Sequence, residues 1–342
     1  MKYNTAIVGA TGAVGQEFLR LIEERNFPFG ELKMLASARS AGKTINFMGK
    51  DYTVEETTEN SFAGVKFALF AGGAASKLFA PAAVNAGAVV IDNSSNFRMD
   101  KNVPLVVPEV NPQAIARHKG IIANPNCSTI IMVMALKPLY DLSKIKRVVV
   151  STYQAVSGAG REGMDELKSQ LEALARGEQP VAKVLPVAKL DKHYQIASNL
   201  LPQIDVFTDN LYTKEEMKMV NETRKIMEDD GIGITATTIR VPVYRSHAES
   251  VNVEFEGEVS VESARAALAK FPGVIVRDNP DEMIYPQPLE TSGKDDVEVG
   301  RIRKDYSIAH GLNLWVCGDQ IRKGAALNAL QIAEYMIAHD MI

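Results

Sequence analysis

The sequence feature that most constrains the fold is an apolar segment that ends in a glycine-rich loop and leads into a helical segment. Residues 5–9 are the apolar segment, and residues 9–15 (GATGAVG) are the loop. The apolar side chains of residues 13–25 then follow the spacing of one helical stripe: Val14, Phe18, Leu21 and Ile22. Glycines between a strand and a helix allow a tight turn, and they let a pyrophosphate approach the N–H groups of the helix N-terminus. This loop therefore predicts a nucleotide-binding turn, with a purely structural turn as the alternative.

The rest of the N-terminal half alternates strand-like apolar segments with helical segments. The apolar segments are residues 32–36, 65–70 and 88–91, and each is followed by small or polar residues, such as Gly72 after the second of them. Buried strands that alternate with helices predict a parallel sheet covered on both faces. Ligands bind such sheets at the carboxyl ends of the strands. We therefore predict an α/β fold with a Rossmann-type nucleotide-binding domain.

From about residue 145 the pattern changes to strands with partial alternation and single helices between them. Strands are predicted at residues 148–153, 235–241 and 250–255, and helices at 162–175 and 261–270. This pattern predicts an α+β catalytic and dimerisation domain whose sheet is open on one side. A helix over residues 324–338 is expected to pack back on the first domain. We predict that residues 1–127 and 320–342 form the nucleotide-binding domain and that residues 128–319 form the catalytic and dimerisation domain.

Composition excludes several classes of protein. The chain has 342 residues, more than a single core usually holds, and its net charge of −4 with scattered basic residues indicates no nucleic-acid or membrane partner. No apolar run reaches the roughly 18 residues that span a bilayer, and the N-terminus lacks the features of a signal peptide. The two cysteines, Cys127 and Cys317, have no metal-ligand spacing around them. We expect a soluble, cytoplasmic protein with free thiols and no metal site.

The segment after the second predicted strand indicates which dinucleotide is bound. An NAD site usually places Asp or Glu there, where the carboxylate accepts a hydrogen bond from the ribose 2′-hydroxyl. Residues 36–43 contain no acid, and Arg39 with Ser37 and Ser40 is suited to a 2′-phosphate. The segment favours NADP, and a solvated basic turn is the alternative.

Cys127 lies where a nucleophilic cysteine is expected. It follows Asn124, Pro125 and Asn126 and precedes residues 130–136, which are apolar on every side and predict a buried helix. A helix N-terminus favours the thiolate, which is the nucleophilic form of cysteine. A lone cysteine is more often a core residue, and this is the interpretation for Cys317, but its position favours a catalytic role for Cys127.

Seven separated segments together resemble the aspartate-β-semialdehyde dehydrogenase family over nearly the full length of the chain. They are residues 9–15, 93–98 (NSSNFR), 124–129 (NPNCST), 154 with 157–160 (SGAG), 215–218 (EEMK), 240–247 (RVPVYRSH) and 318–320 (GDQ). Ser128 stands where many relatives have threonine, and the short spacings between the segments indicate the compact bacterial branch.

The resemblance implies an enzyme that carries out the reversible, NADP-dependent reductive dephosphorylation of L-aspartyl-4-phosphate to L-aspartate-4-semialdehyde. The route passes through a thioester on Cys127, and the product serves lysine (through diaminopimelate), threonine and methionine biosynthesis. The implied partners are NADP, the substrate and inorganic phosphate. The implied assembly is a homodimer or a dimer of dimers.

The family's residue roles carry over to the matching positions. Cys127 would form the thiohemiacetal and the thioester, His247 would be the general acid and base, and Gln154 would orient the substrate. The expected substrate and phosphate contacts are Arg240 for the carboxylate, Glu215 for the ammonium group, and Arg98 and Lys218 for the phosphate, with Asn126 as a further contact to the substrate or the phosphate. The expected cofactor contacts are Gly9, Thr11, Gly12, Ala13, Val14, Ser37, Arg39, Ser40, Gly72, Ser157, Gly158 and Gln320.

These residue types suit the chemistry, although each charge taken alone is more often a surface residue. An acyl phosphate of an amino acid needs cations for its phosphate and carboxylate and an anion for its ammonium group. Histidine exchanges protons near neutral pH, and the other four histidines (His118, His193, His310, His339) are assigned no role. One alternative is another phosphorylating aldehyde dehydrogenase, such as an N-acetyl-γ-glutamyl-phosphate reductase or a glyceraldehyde-phosphate dehydrogenase. The other is a catalytically dead relative that acts as a binding protein. Glu215 argues against an N-acylated substrate, which has no ammonium group.

Overall fold

The structure is a computed structural model that describes residues 1–342 and divides them into two compact units. The first unit comprises Met1–Asn126 and Gly324–Ile342, and the second comprises Cys127–Lys323. The chain thus passes from one unit to the other directly before the predicted nucleophile. None of the helices combines the length and the apolar character that crossing a membrane would require.

The first unit is built on a six-stranded parallel sheet. Its strands are β1 (Tyr3–Val8), β2 (Phe29–Ala36), β5 (Glu55–Glu56), β6 (Phe67–Phe70), β7 (Val89–Asp92) and β8 (Ile121–Ala123), and a separate hairpin is formed by β3 (Thr44–Phe47) and β4 (Lys50–Thr53). Two helices follow β1 and β6, namely α1 (Ala13–Glu24) and α2 (Ala74–Asn85). The strand order is β5-β2-β1-β6-β7-β8. The predicted Rossmann-type parallel sheet is confirmed.

The central strands of this sheet consist mainly of apolar residues because both faces of the sheet are covered. Every residue of β6 and of β7 is buried. Helix α1 buries Phe18, Leu21 and Ile22, which belong to the predicted stripe, in the same core as β1 and β6. The pattern of residues 13–25 thus predicted both the helix and the face that it buries.

The strand order reverses at β1, which lies between β2 and β6, and the loops after β1 and β6 therefore flank the crevice where such sheets bind ligands. Close packing in the first loop requires glycine at position 15, because a Cβ there would lie 2.2 Å from the carbonyl oxygen of Gly9. Gly9 itself has a φ of +89°, a conformation that other residues rarely adopt. The glycine-rich loop is thus shaped by backbone packing and presents its remaining residues to the crevice.

The second unit contains a mixed six-stranded sheet with the order β10-β9-β11-β14-β13-β12. Its helices are α3 (Cys127–Tyr140), α4 (Gly160–Ala175), α5 (Lys214–Met227), α6 (Val261–Lys270) and α7 (Pro288–Thr291). Its strands are β9 (Ile145–Gln154), β10 (Gly233–Arg240), β11 (His247–Phe255), β12 (Val274–Val276), β13 (Val297–Lys304) and β14 (Gly311–Gly318). The pairs β10/β9 and β12/β13 are parallel and the other three pairs are antiparallel.

One face of this sheet is covered and the other is open. Helix α3, whose residues 128–136 are all buried, packs on the covered face beside α5 and α6. On the opposite face Tyr153 and Trp315 are only half-buried, with ring centroids 5.4 Å apart. The alternation along β9 and β11 reflects this difference, and the predicted α+β domain with a half-open sheet is confirmed.

The C-terminal helix α8 (Leu327–Ala338) belongs to the first unit and packs against α1 and the central strands β6 and β7. Its buried residues include Leu330 and Ala333, so the predicted return of this helix to the first domain is confirmed. The helix begins at Leu327 rather than at residue 324, because Arg322–Ala326 forms a π-helical turn.

Candidate active site

Cys127 is the first residue of α3, and its thiol lies beside a histidine. The Sγ atom is 3.5 Å from Nε2 of His247, the first residue of β11. Cys127 is only partly buried, although the helix that follows it is buried on every side. The dipole at the start of α3 favours a thiolate at this position. Cys127, the predicted nucleophile, thus lies at a helix start and in contact with a side chain that can exchange protons.

His247 is fully buried, and its hydrogen bonds define its resting state. Its Nδ1 accepts a hydrogen bond from the backbone N–H of Ala155 at 3.1 Å, so Nε2 carries the proton of the neutral ring. Burial, followed by the positive charge of Arg240, lowers the pKa of His247 to about 3. The ring is thus neutral near pH 7 and presents an N–H donor towards Cys127.

This tautomer supports one half of the acid–base role predicted for His247. As a donor, Nε2–H is placed to stabilise negative charge on the sulfur, or on a substrate oxygen that replaces it as the acceptor. Acceptance of the thiol proton at Nε2 requires the ring proton to move to Nδ1, which breaks the bond from Ala155. The resting geometry therefore corresponds to a neutral histidine that directs its N–H towards the sulfur of Cys127.

The backbone immediately before His247 is in a left-handed conformation. Ser246 has a φ of 74°, which is costly for a residue with a side chain. Its N–H donates to Oε1 of Gln320 at 2.7 Å, and its hydroxyl donates to the carbonyl of Gly318 at 2.9 Å. These bonds hold the strained turn that directs the histidine ring. No local pattern in the sequence indicates this role of Ser246.

Arg240 ends β10 and is almost completely buried in the same unit. Its Nη1 donates to the carbonyl oxygen of Ala155 at 2.7 Å, while its Nε has no hydrogen-bond partner in the protein. Burial lowers the pKa of Arg240, and the charges of Glu215 and Cys127 raise it. Because a guanidinium stays protonated even then, Arg240 is a buried cation with an available donor, as binding a carboxylate requires.

Glu215 and Lys218 lie one turn apart at the start of α5 and form an ion pair at 3.0 Å. Glu215 also accepts a hydrogen bond of 3.2 Å from the side-chain amide nitrogen of Gln154. The same amide nitrogen lies 3.4 Å from Nε2 of His247. Lys218 has a second carboxylate partner, Asp205, at 3.3 Å. The structure thus joins the predicted substrate residues of this unit into one cluster, and Asp205 is a member that the sequence analysis missed.

Residues expected at the cofactor form a brace beside His247. Gln320 accepts from the N–H of Ser246, and its Nε2 donates to the hydroxyl of Ser157. Gly158, the next residue, lies against Arg240 and the His247 ring. The side-chain amide of Gln320 is thus engaged at both ends, and it holds two loops of the second unit together.

The other residues predicted to contact the substrate or the phosphate lie in the first unit. Arg98 is buried and donates from Nη2 to the carbonyl oxygen of Asn93 at 2.8 Å. The preceding turn is held by buried Asp92, which accepts hydrogen bonds from the hydroxyls of Ser76 and Ser94. Asn126 is the last residue before α3 and is also buried.

The crevice of the first unit has the features of a dinucleotide site. Helices α1 and α2 begin after Gly12 and Gly73, with no side-chain cap and no acid in the first turn. The N–H groups at both helix starts are therefore available to an anion. At the start of α1, Thr11, Gly12 and Ala13 are exposed and Val14 is half-buried. Gly72, with a φ of 121°, lies just before the start of α2.

The turn after β2 places Ser37 and Arg39 in solvent and Ser40 in the interior. Strand β5, whose residues are Glu55 and Glu56, pairs with the last residues of β2, so two exposed carboxylates lie at the same edge of the sheet. The pattern of residues 36–43 contains no signal for these acids, because they enter the sheet from a later strand. Their charge makes the cation of Arg39 important for any anion bound there.

Two expectations concerned residues outside the catalytic cluster. Cys317 is a fully buried residue of β14, as predicted, and burial together with Glu298 and Glu249 raises the pKa of its thiol far above the usual range. It is therefore not a nucleophile at neutral pH. No group of three or more His, Cys, Asp and Glu side chains is arranged to hold a metal ion.

Comparison with known proteins gives matches to both units. Residues 4–118 match the family model described as "Semialdehyde dehydrogenase, NAD binding domain", and residues 136–323 match "Semialdehyde dehydrogenase, dimerisation domain". The aspartate-semialdehyde dehydrogenase of Aquifex aeolicus is 56% identical over 347 aligned positions, with both chains fully covered. That of Bacillus subtilis is 52% identical, with 97% of this chain and 96% of that one covered.

Solved structures show the same similarity. Aspartate semialdehyde dehydrogenase II of Vibrio cholerae, in a complex described as containing ASA, matches with a TM-score of 0.94 and 49% identity over 99% of both chains. Aspartate semialdehyde dehydrogenase of Candida albicans, determined with NADP, matches with a TM-score of 0.77 and 26% identity over the whole of both chains.

Proposed function

The chain belongs to the aspartate-semialdehyde dehydrogenase family, and on this basis we propose that it catalyses the NADP-dependent, reversible conversion of L-aspartyl-4-phosphate to L-aspartate-4-semialdehyde and inorganic phosphate. The observation that carries the proposal is the contact of 3.5 Å between Sγ of Cys127 at a helix start and Nε2 of a buried neutral His247. The cluster around this pair has the charges that the two ends of an amino acid require. In the cell this reaction serves the formation of lysine, threonine and methionine.

Cys127 performs the covalent chemistry. Its thiolate attacks the acyl carbon of the aspartyl phosphate, the bond from that carbon to the phosphate oxygen breaks, and phosphate leaves, so that a thioester remains on Cys127. NADPH, when bound, supplies the hydride that reduces the thioester carbon. The thiohemiacetal then collapses with cleavage of its carbon–sulfur bond, which releases the aldehyde and regenerates the thiolate.

His247 stabilises the oxygen that becomes negative in each of these steps. Its Nε2–H, held in that tautomer by Ala155, donates to the oxyanion of each tetrahedral intermediate. Arg240 lowers the proton affinity of this histidine, and a substrate carboxylate bound to Arg240 offsets that charge. Substrate binding therefore makes His247 a stronger base at the stage when proton exchange is required.

The charged residues of the second unit are suited to the two ends of aspartate. Arg240 has an unpaired Nε for the α-carboxylate, and Glu215, next to Gln154, can receive the ammonium group. Lys218 limits the negative charge of Glu215 and Asp205, and we assign it with Arg98 and Asn126 to the phosphate. Opposite charges at defined positions support a free amino acid rather than an N-acylated one.

The cofactor proposal rests on the crevice of the first unit. Two uncapped helix starts with no acid in their first turns fit a pyrophosphate, and the exposed side chains of Arg39 and Ser37 fit a 2′-phosphate, whereas Ser40 is buried behind them. Ser157, Gly158 and Gln320 are assigned to the nicotinamide end, where Gln320 also braces Ser246. Because the reaction needs a free thiol, we assign the enzyme to a reducing compartment, the cytoplasm.

We propose a symmetric homodimer, or a pair of such dimers, formed by the second unit. Its open sheet face bears Tyr153 and Trp315, and the same unit exposes Met283, Leu289 and Tyr306. A monomer rarely leaves so many large apolar side chains in solvent, and a two-fold interface covers the same patch on both copies. Sedimentation velocity at micromolar concentration checks this assembly, which a monomer would contradict.

The activity is tested by following NADP reduction with aspartate semialdehyde, with and without inorganic phosphate. Reduction that depends on phosphate is expected. Activity with N-acetylglutamate semialdehyde in place of aspartate semialdehyde would identify the related reductase instead. A folded protein that reduces NADP with neither aldehyde would show that the site is inactive.

A further inference from the structure

A chain of three asparagine side chains crosses the first unit at the carboxyl ends of its strands. Nδ2 of Asn328 on α8 donates to Oδ1 of Asn124 at 2.7 Å, and Nδ2 of Asn124 donates to Oδ1 of Asn93 at 2.9 Å. Nδ2 of Asn93 donates to the carbonyl oxygen of Phe70 at 2.8 Å, and Asn328 makes a second bond to the carbonyl of Val106 at 2.9 Å. The chain of amides thus joins the ends of β6, β7 and β8 to the C-terminal helix.

One backbone group determines the orientation of all three amides. The carbonyl of Phe70 can only accept, so Asn93 must direct its Nδ2 there and its Oδ1 towards Asn124. Asn124 must then donate to Asn93 and accept from Asn328. Asn124 and Asn328 are fully buried, where an unsatisfied amide is expensive, so the network has one stable arrangement.

Two members of this network, Asn93 at one end and Asn124 in the middle, are connected to residues assigned to the phosphate. The backbone carbonyl of Asn93 accepts the hydrogen bond from Nη2 of Arg98. Asn124 precedes Pro125 and Asn126, and the proline restricts the backbone between the two asparagines. A shift of the side-chain network is therefore transmitted to both Arg98 and Asn126.

We infer that Asn93, Asn124 and Asn328 are positioning residues for the phosphate part of the active site, which they serve by fixing Arg98 and Asn126. The inference rests on the proposed function, since it assumes that these two residues bind phosphate. A guanidinium gives its full electrostatic effect only when it is held within a fraction of an ångström of the productive geometry. The amide network supplies that rigidity from groups that do not contact the substrate.

The test compares Asn124→Ala with Asn111→Ala in the full-length enzyme. Asn111 is an equally buried asparagine of the first unit whose amide satisfies its own loop, through the N–H of Val107 and the carbonyl of Leu105. Asn124→Ala loses the bonds to Asn93 and Asn328 and a longer one of 3.4 Å to the carbonyl of Ala325, and Asn111→Ala loses two, so both variants remove a buried, bonded amide. Asn124→Ala is expected to raise KM for phosphate about fivefold or more, with KM for NADP nearly unchanged. Asn111→Ala should change neither KM.

A second arm measures coupling to Arg98. Arg98→Lys retains the charge but loses the geometry that the Asn93 carbonyl fixes, so it should raise KM for phosphate by itself. If the network acts through Arg98, the effect of the double variant Arg98→Lys with Asn124→Ala should be smaller than the product of the single effects. Three outcomes would each overturn the inference. They are multiplicative effects of the two single variants, an unchanged KM for phosphate in folded Asn124→Ala, and an equal rise of KM for phosphate in Asn111→Ala.

A binding measurement separates failure of the inference from failure of the proposed function. Inorganic phosphate should raise the thermal midpoint of the parent enzyme, and this shift should be smaller in Asn124→Ala but not in Asn111→Ala. If phosphate stabilises the parent, and stabilises Asn124→Ala less, but the parent has no turnover, the proposed function is contradicted and the role of the network is supported. A parent that turns over, with a full phosphate shift in Asn124→Ala, would reject the network alone.

Discussion

Gly158 lies so close to Arg240 that a Cβ at position 158 would stand 2.7 Å from Nη1 of the guanidinium. The same Cβ would lie 3.6 Å from Cε1 and Nε2 of the His247 ring. Arg240 is held on its other side by the carbonyl of Ala155, so the absence of a side chain at Gly158 determines where the buried cation can be. One methyl group at this position should therefore displace the residue assigned to the substrate carboxylate.

The first prediction follows from that contact. Gly158→Ala should lower kcat/KM for aspartate semialdehyde by about 10- to 100-fold, as expected if a charge-assisted hydrogen bond worth about 1.5–3 kcal/mol is lost. Gly257→Ala is the control, because a Cβ there would meet only Oγ of Ser143 at 3.4 Å. Steady-state kinetics and thermal unfolding of both variants check the prediction. An unchanged kcat/KM in Gly158→Ala would show that Arg240 does not need this position.

The second prediction concerns pH and stability. The folded-state pKa of His247, about 3, lies below its ordinary value of 6.5, so between these two values the unfolded chain binds the proton and the folded chain does not. Its contribution to stability is therefore fully present above pH 6.5 and is lost as the pH falls towards 3. The free energy of unfolding of the parent, minus that of His247→Asn, should rise with pH in this window by at most about 1.4 kcal/mol per unit.

Chemical denaturation at several pH values between 4 and 7 measures this difference. His339→Asn gives the control, since it removes an imidazole that is exposed rather than buried and should not reproduce the difference seen with His247→Asn. A difference between parent and His247→Asn that does not vary with pH would mean that the histidine is protonated in the folded state as readily as in the unfolded chain.

The third prediction divides the chemistry between Cys127 and His247. Cys127→Ser should abolish turnover almost completely, because a serine hydroxyl is far less ionised than a thiol. His247→Asn should retain residual activity, with kcat reduced by about 10²- to 10⁴-fold and substrate KM changed much less. Steady-state kinetics of the two variants measures both effects, and comparable loss in both would remove the distinction.

Mass spectrometry locates the nucleophile directly. Enzyme quenched with semialdehyde and NADP in the absence of phosphate should carry an acyl group on Cys127. Cys317→Ala provides the control and should acquire the same adduct, since the Cys317 thiol is fully buried and protonated. An adduct on Cys317 in the parent would falsify the mechanism.

The fourth prediction concerns the choice of cofactor. Arg39→Ala should mainly raise KM for NADP and leave KM for NAD nearly unchanged, because only NADP carries the 2′-phosphate. The exposed carboxylates of Glu55 and Glu56 at the same sheet edge should make this loss larger. Arg20→Ala, which removes an exposed arginine from the solvent side of α1, is the control. Equal kcat/KM for NAD and NADP in the parent would contradict the assignment.

Local patterns in the sequence were sufficient for the elements that depend on near neighbours along the chain. The glycine loop before α1, the stripe of α1 and the buried helix after Cys127 were all predicted, because a turn, a helical face and a helix start are determined by residues within a few positions of one another. The parallel sheet followed as well, since buried strands that alternate with helices have few other ways to cover both faces.

The resemblance to a family named the charged residues of the site, but the tertiary structure decided how each is held. Asp205 meets Lys218, and Ser246 takes a strained φ because Gln320 and Gly318 bind it. These contacts join positions far apart in the chain, and a linear pattern contains no signal for them. The tautomer of His247 likewise depends on an N–H from a different strand end, and the burial that lowers its pKa arises only when the sheet and its helices close around it.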